Sequence, residues 1–136
     1  MLAGAFALSA VGCAAVRPAV PLEKTHWKLM EAEGVPAPTS SGSREPHIRF
    51  DSEKKRVTGY SGVNNFFGGY EISGEALRMP RLASTRRAGP PELMKLESAF
   101  LTALAATTSY HITGDKLELL DSSGRALARF QAQQIR

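Results

Sequence analysis

Short alternations of apolar and polar residues recur along the chain, and this pattern is typical of half-buried β-strands. The segment 47–51 is the clearest case, because Ile48 and Phe50 point to one face and their neighbours point to the other. Turn residues rich in glycine, serine and charge separate the segments. We predict eight strands, at residues 26–31, 47–51, 56–60, 70–72, 76–79, 110–113, 116–120 and 125–130.

One segment has a helical period instead. Two prolines at 90 and 91 suit a first helical turn, and Glu92 favours the positive end of the helix dipole. Apolar residues then follow at helical spacing, with Glu97 among them: Leu93, Leu96, Phe100, Leu101 and Leu104. We predict a helix over residues 90–106 that packs on the sheet.

These elements predict a mainly β (α+β) fold, a small antiparallel β-barrel of about eight strands with one packed helix. Short links between strands favour a closed or nearly closed barrel, because closure removes exposed edges. The proline- and glycine-rich segment 34–46 is expected to be a loop. The segment 61–69 combines three glycines and two asparagines with two phenylalanines, so we expect a sharp turn with anchored aromatics.

The first sixteen residues carry no charged side chain, and the apolar run ends at residues 17 and 18. It is too short to span a membrane and fits the core of a signal peptide. The small residues 10–12 precede Cys13, as in a bacterial lipoprotein signal, where the cysteine receives lipid. We therefore predict a signal peptide over 1–12, lipid attachment at Cys13, a tether over 13–24 and a domain over 25–136. The alternative is a buried cysteine in an ordinary element.

Composition narrows the class of protein further. A chain of 136 residues fits one domain, and a net charge of +4 is too small to indicate nucleic-acid binding by itself. The single cysteine excludes an intrachain disulfide and a thiolate-rich zinc site.

Several segments together resemble the META domain, or HslJ-like, family of small bacterial envelope domains. The resemblance runs from about residue 27 to residue 130, in the right order. It is carried by Trp27, Leu29, the segments 57–70 and 82–86, the helix with Met94, Glu97, Phe100 and Leu104, and finally Tyr110, Gly114, Leu117, Leu119, Gly124, Leu127 and Phe130. It implies a small β-rich barrel with a helix, a link to stress response or antibiotic tolerance, and no catalytic residue.

Two positions depart from the family pattern. Many members have cysteines where this chain has Val63 and Gly89. If those cysteines usually pair, this chain must hold the same corner by packing. A disulfide contributes about 2–4 kcal/mol, and burial of Val63, Phe66 and Phe67 could offset it at roughly 1.5–3 kcal/mol per side chain.

The best candidates for a polar binding site are Thr85, Arg86 and Arg87, and Asn64 is a further candidate. An exposed threonine next to paired arginines could hold a carboxylate or phosphate group. A structural interpretation competes: Thr85 caps a turn, Arg86 pairs with a carboxylate such as Glu97, and Asn64 bonds the backbone of its own turn. The structural interpretation is the one we favour.

No pattern indicates a metal site, a cofactor or hydrolysis, because the three histidines lie on separate strands and no serine has the context of a nucleophile. We expect a non-enzymatic monomer, held at the envelope by its lipid and facing the periplasm from the outer membrane. Its partner would be an envelope protein or anionic lipid, attracted by arginines 78, 81, 86 and 87. The alternative function is inhibition of a periplasmic hydrolase through the loop 34–46.

Overall fold

The strands form one curled antiparallel sheet in a computed structural model that describes residues 18–38 and 44–133. In chain order the elements are β1 His26–Ala32, β2 Val35–Pro36, β3 His47–Asp51, β4 Arg56–Tyr60, β5 Asn65–Gly69, β6 Glu71–Ser73, β7 Ala76–Arg78, β8 Leu82–Ser84, α1 Pro91–Ala106, β9 Ser109–Thr113, β10 Lys116–Leu120 and β11 Ala126–Gln133. The order across the sheet is β6-β7-β9-β10-β11-β1-β3-β4-β5-β8, and β2 pairs with β1.

The mainly β fold with a single helix is confirmed, and the sheet is a half-barrel whose first and last strands, β6 and β8, are its two edges. All eight predicted strands are present within a few residues. Three more, β2, β5 and β8, lie in segments where the sequence predicts a loop, a turn or no element. Strand β5 contains two glycines, which have low strand propensity, but β4 and β8 supply its hydrogen bonds on both sides.

The helix α1 confirms the prediction to within one residue. Pro91 occupies its first turn, and Thr107 ends it by donating its hydroxyl hydrogen to the carbonyl oxygen of Ala103 at 2.8 Å. The helix lies inside the curve of the sheet, where Phe100 packs against the rings of Phe66 and Phe130 at centroid distances of 5.4 and 5.7 Å. This aromatic contact joins the two halves of the sheet through the helix.

Within the described residues, no helix is long and apolar enough to cross a membrane.

Strand β4 approaches its neighbours so closely that one position admits only glycine. A Cβ atom added at Gly59 would lie 2.2 Å from Cζ of Phe66 and 2.3 Å from the carbonyl oxygen of His47. The carbonyl oxygen of His47 belongs to the backbone, so it cannot rotate away from an added side chain. The absence of a side chain at Gly59 therefore leaves room for the ring of Phe66 against the strand.

Residues 20–24, the second half of the predicted tether, contact the sheet. The amide of Lys24 donates to the carbonyl oxygen of Phe50 at 2.9 Å, and Leu22 is buried. The indole Nε1–H of Trp27 donates to the carbonyl oxygen of Leu22 at 2.9 Å, and Tyr70 donates its hydroxyl hydrogen to Glu23. Predictions for residues 1–17, including the signal peptide and the lipid on Cys13, lie outside the described residues and stay predictions.

Candidate functional site

A tight turn between β4 and β5 carries the first candidate residue, Asn64. The backbone amide of Ser61 donates to the carbonyl oxygen of Asn64 at 2.9 Å, and the hydroxyl oxygen of Ser61 lies 3.0 Å from the same carbonyl oxygen. Gly62 has a φ of +127°, a conformation that side-chain-bearing residues rarely adopt. The turn thus buries Ser61 and Asn64 and points their polar groups toward helix α1.

Helix α1 contributes a buried carboxylate, that of Glu97, to this turn. One oxygen of Glu97, Oε1, accepts from the hydroxyl of Ser61 and from the backbone amide of Asn64, each at 2.7 Å. The other, Oε2, accepts from the side-chain amide of Asn64 at 2.8 Å. Glu97 is only 6% exposed and is bonded entirely by neutral donors. It joins the helix to the β4–β5 turn.

These bonds also decide the charge state of Glu97. Burial alone raises the pKa of its carboxyl, since the charged form loses hydration. The hydrogen bonds from Ser61, from Asn64 and from the backbone amides of Val63 and Asn64 oppose this and bring the pKa below its ordinary value of 4.5. Glu97 is therefore ionised at neutral pH.

Asn64 also binds the segment that follows β8, which contains the other three candidates. Its Oδ1 accepts from the backbone amide of Arg87 at 2.6 Å and from the hydroxyl of Thr85 at 3.0 Å. Its Nδ2 donates to the carbonyl oxygen of Arg87 at 3.0 Å. Thr85 in turn accepts from the amide of Asn65 at 3.1 Å. The structure thus brings Asn64, Thr85 and Arg87 together, and Arg87 takes part through its backbone.

Arg86 lies apart from this network. The expected ion pair with Glu97 is not formed, because Ser61 and Asn64 occupy both oxygens of that carboxylate. Arg86 is exposed, and no carboxylate of the described residues lies within ion-pair distance of it. Its side chain is free of a structural partner in this part of the molecule.

The two positions that depart from the family pattern touch each other. A Cβ atom added at Gly89 would lie 3.4 Å from the Cβ of Val63 and 2.5 Å from its Cγ2. The expected offset by packing is corrected in part: Phe66 is buried, Val63 is only half-buried, and Phe67 is 40% exposed on the outer face. The hydrogen bonds of Glu97 and Asn64 supply the remaining attachment at this corner.

A groove runs between the chain segment 79–86, which contains β8, and the helix residues Leu101 and Ala105. Its volume is about 450 Å³, and we call it the β8 groove. Arg81 and Arg86 both border it and are exposed. Leu82 and Leu101 are partly buried and give the groove apolar walls. Two of the four arginines of the basic stretch therefore converge on one cleft.

Two further side-chain contacts are not predicted by the sequence. His26 and His47 stack with ring centroids 4.4 Å apart, although they share no spacing in the sequence. Burial lowers the pKa of both imidazoles. On the outer face, Arg56 lies over the ring of Phe67, with 5.9 Å between the guanidinium carbon and the ring centroid. Strand pairing across β1–β3 and β4–β5 creates both groupings, so local patterns could not reveal them.

No group of three or more histidine, cysteine or acidic side chains that could hold a metal ion is found among residues 18–38 and 44–133.

The fold and this corner define a class of small half-barrels in which a polar turn is bonded to one internal helix. The family model of the META domain matches residues 20–134, and the chain belongs to the META domain family. Two solved structures share the fold. One is an NMR structure of a protein from Burkholderia xenovorans, with a TM-score of 0.63, 23% identity, and coverage of 84% of this chain and 85% of that one.

The second is also an NMR structure, with a TM-score of 0.63 and 24% identity, and it covers 81% of this chain and 90% of that chain. At this identity the two structures support the fold alone. No curated protein matches the chain significantly.

Proposed function

We propose that this META domain protein is a non-catalytic binding module, anchored to the bacterial envelope through Cys13 and active in stress or antibiotic tolerance. The observation that carries the binding role is the β8 groove, where Arg81 and Arg86 stand beside apolar walls without a carboxylate partner in the described part of the chain. Ligand sites combine apolar walls with a small number of polar or charged groups, and this groove offers both.

The other candidate residues support the same division of roles. Asn64 and Thr85 use their side-chain polar atoms on the turn, on Glu97 and on residues 85–87, so they hold the groove in place. The anchor rests on the sequence of the leader, and the tolerance role rests on family membership.

Complementation of a deletion strain under envelope stress tests the proposal. Arg81→Glu combined with Arg86→Glu reverses the charge of the groove, and Arg49→Glu with Lys116→Glu makes the same change in net charge at exposed positions elsewhere. We expect the groove variant to lose tolerance and the matched variant to keep it, at equal protein levels. Equal tolerance in both would contradict the proposal.

The anchor has its own test. Intact mass and membrane partition of the mature protein should show a lipid-modified chain that begins at Cys13, and Cys13→Ala should move the protein to the soluble fraction. A soluble chain that retains residues 1–12 would contradict the proposed lipid anchor.

Inhibition of a periplasmic hydrolase is the second candidate. Its support is that both described ends of the segment 34–46 are fixed: the amide of Ala37 donates to Met30, and the amide of Leu29 donates to Pro46, each at 2.9 Å. A pull-down from envelope extracts that yields one stoichiometric hydrolase, slowed by the purified protein, would favour this function over the first.

A further inference from the structure

The last strand of the sheet, β8, has one side that no strand of the described chain covers. On its other side, Ala83 is opposite Phe67 and Ser84 is opposite Phe66 in the antiparallel ladder with β5. The amide of Thr85 donates to the carbonyl oxygen of Asn65 at 3.0 Å. Since such pairs alternate along an antiparallel ladder, Ala83 is also directed toward β5, and the backbone groups of Leu82 and Ser84 point away from it.

Among the described residues, the outward backbone groups of Leu82 and Ser84 have no strand partner, and both residues line the β8 groove. The segment 79–86 forms one wall, and Leu101 and Ala105 of the helix form the other. A row of unpaired amide and carbonyl groups beside an apolar wall is the arrangement that accepts an added strand. Backbone bonds supply affinity in this mode, and alternate side chains supply specificity.

The charge of the groove selects among extended chains. Arg81 and Arg86 border it, and the described residues provide neither with an acidic partner. The opposite edge of the sheet differs, because the ladder places an acidic residue, Glu71 of β6, directly across from Arg78 of β7. The arginine-flanked edge is thus the one suited to acidic side chains.

We propose that the β8 groove binds an extended acidic peptide segment of a partner protein, which adds to β8 as a further antiparallel or parallel strand. Its backbone bonds to Leu82 and Ser84, its apolar side chains face Leu101 and Ala105, and its carboxylates meet the guanidinium groups. This rests on the binding role proposed above and names the class of partner. An anionic lipid surface is the competing ligand, and it would use the charges without the backbone groups.

A designed probe separates these two. The probe is an eight-residue, terminally capped peptide of alternating valine and glutamate, which places apolar groups on one face and carboxylates on the other. We expect the purified protein to bind it, with affinity that falls as salt rises. Arg81→Glu with Arg86→Glu should weaken binding by at least about tenfold, and the matched Arg49→Glu with Lys116→Glu should change it by less than about threefold.

Backbone N-methylation of the probe tests strand addition directly and needs no change in the protein. Methylating all valines or all glutamates blocks the amides on one side of the peptide only. We expect one of these two peptides to lose binding and the other to keep it. The Leu82 and Ser84 amides should exchange their hydrogens more slowly in the complex, and the Ala83 amide should be unaffected.

Three results would overturn the inference. The probe fails to bind, both methylated peptides bind like the parent, or phosphatidylglycerol vesicles bind in a manner that depends on Arg81 and Arg86 whereas the peptide does not. The last result leaves the proposed binding module intact with lipid as its ligand. Failure of the proposed function itself is distinct, because tolerance would then be unaffected by the groove variant.

Discussion

Replacing Glu97 by glutamine tests whether the buried carboxylate holds the helix to the β4–β5 turn. The change conserves size and removes the charge, and it exchanges one acceptor oxygen for an NH₂ group. If Oε1 keeps its two donors, the new NH₂ faces the Nδ2 of Asn64, where the carboxylate oxygen now accepts at 2.8 Å. Two donors would then meet at hydrogen-bond distance.

Rotation of the Asn64 side chain does not relieve this contact. Turning the amide of Asn64 to offer its oxygen would break the bond that this oxygen accepts from the amide of Arg87 at 2.6 Å. Hydrogen bonds to charged groups contribute roughly 1.5–3 kcal/mol, and a buried unsatisfied donor costs about 1–3 kcal/mol. Because the pKa of Glu97 is lowered, its hydrogen bonds outweigh the cost of burying the charge. We therefore expect Glu97→Gln to lower the free energy of unfolding by about 2–4 kcal/mol.

Chemical and thermal unfolding at pH 7 measure this loss. In a domain of this size, 2–4 kcal/mol lowers the Tm by roughly 10 °C. Glu92→Gln is the matched control, since Glu92 is exposed in the first turn of the same helix and loses the same charge. Glu92→Gln should lower the free energy of unfolding by less than about 1 kcal/mol, which is the size of a favourable helix-dipole contact.

The effect of Glu97→Gln should also depend on pH. The folded-state pKa of Glu97 lies below the ordinary 4.5, so the unfolded chain binds the proton first as pH falls. The stabilisation by this group is fully present above that ordinary pKa and is lost as pH falls through the folded-state pKa. The difference in free energy of unfolding between the native protein and the glutamine variant should therefore be constant near neutral pH and become smaller in acid. A glutamine variant as stable as the Glu92→Gln control at pH 7 would refute this account.

Three further predictions concern other contacts. The pair Val63→Cys and Gly89→Cys should form a disulfide, because their Cβ atoms would lie 3.4 Å apart, close to the usual range of about 3.5–4.5 Å, and the bridge should raise stability under non-reducing conditions by about 2–4 kcal/mol. Gly59→Ala should lower the free energy of unfolding by more than about 2 kcal/mol or prevent folding, since its Cβ meets backbone at 2.3 Å. Burial lowers the pKa of His26 and His47, so stability should fall as pH drops below 6.5, and His26→Gln with His47→Gln should remove that dependence.

Each of these has a control within the same protein. Val63→Cys alone supplies a free thiol without a bridge, and thiol titration with mass measurement separates it from the double variant. Gly69→Ala is the counterpart of Gly59→Ala, because the nearest atom to a Cβ at Gly69 is 3.9 Å away. A Gly59→Ala protein as stable as Gly69→Ala would contradict the close packing of β4, and an unchanged pH profile in the double glutamine variant would exclude the stacked histidines as its cause.

The sequence predicts the elements that have a clear period and misses those that depend on neighbours. The helix is evident because five apolar residues follow two prolines at helical spacing. Strand β8 has only three residues, and the glycines of β5 hide the alternation in which Phe66 points inward and Phe67 outward. Both strands exist because β4 offers hydrogen bonds to β5, and β5 offers them to β8. That information is carried by the partner strand.

One residue of the site, Glu97, can be recognised from the sequence by its position in the helix. Glu97 lies in the apolar stripe of α1, one turn after Leu93 and one turn before Phe100, so an acidic residue occupies a position that faces the core. That misplaced charge signals a buried polar contact, but it does not say which donors satisfy it. Ser61 and Asn64 are more than thirty residues away in sequence, and only the fold brings them to the carboxylate.

The residues that hold the corner and those that face the groove are different, and this makes their roles separable. The side chains of Asn64 and Thr85 are bonded internally, so substituting either should lower stability before it alters the surface. Arg81 and Arg86 have no such bonds within the described structure, so reversing their charge should leave the Tm nearly unchanged and alter binding alone. The hydrogen bonds that attach residues 85 and 87 to Asn64 and Asn65 also hold the end of β8 beside the groove. The proposed binding edge therefore depends on a stable corner, and a variant that loses the corner should lose peptide binding as well.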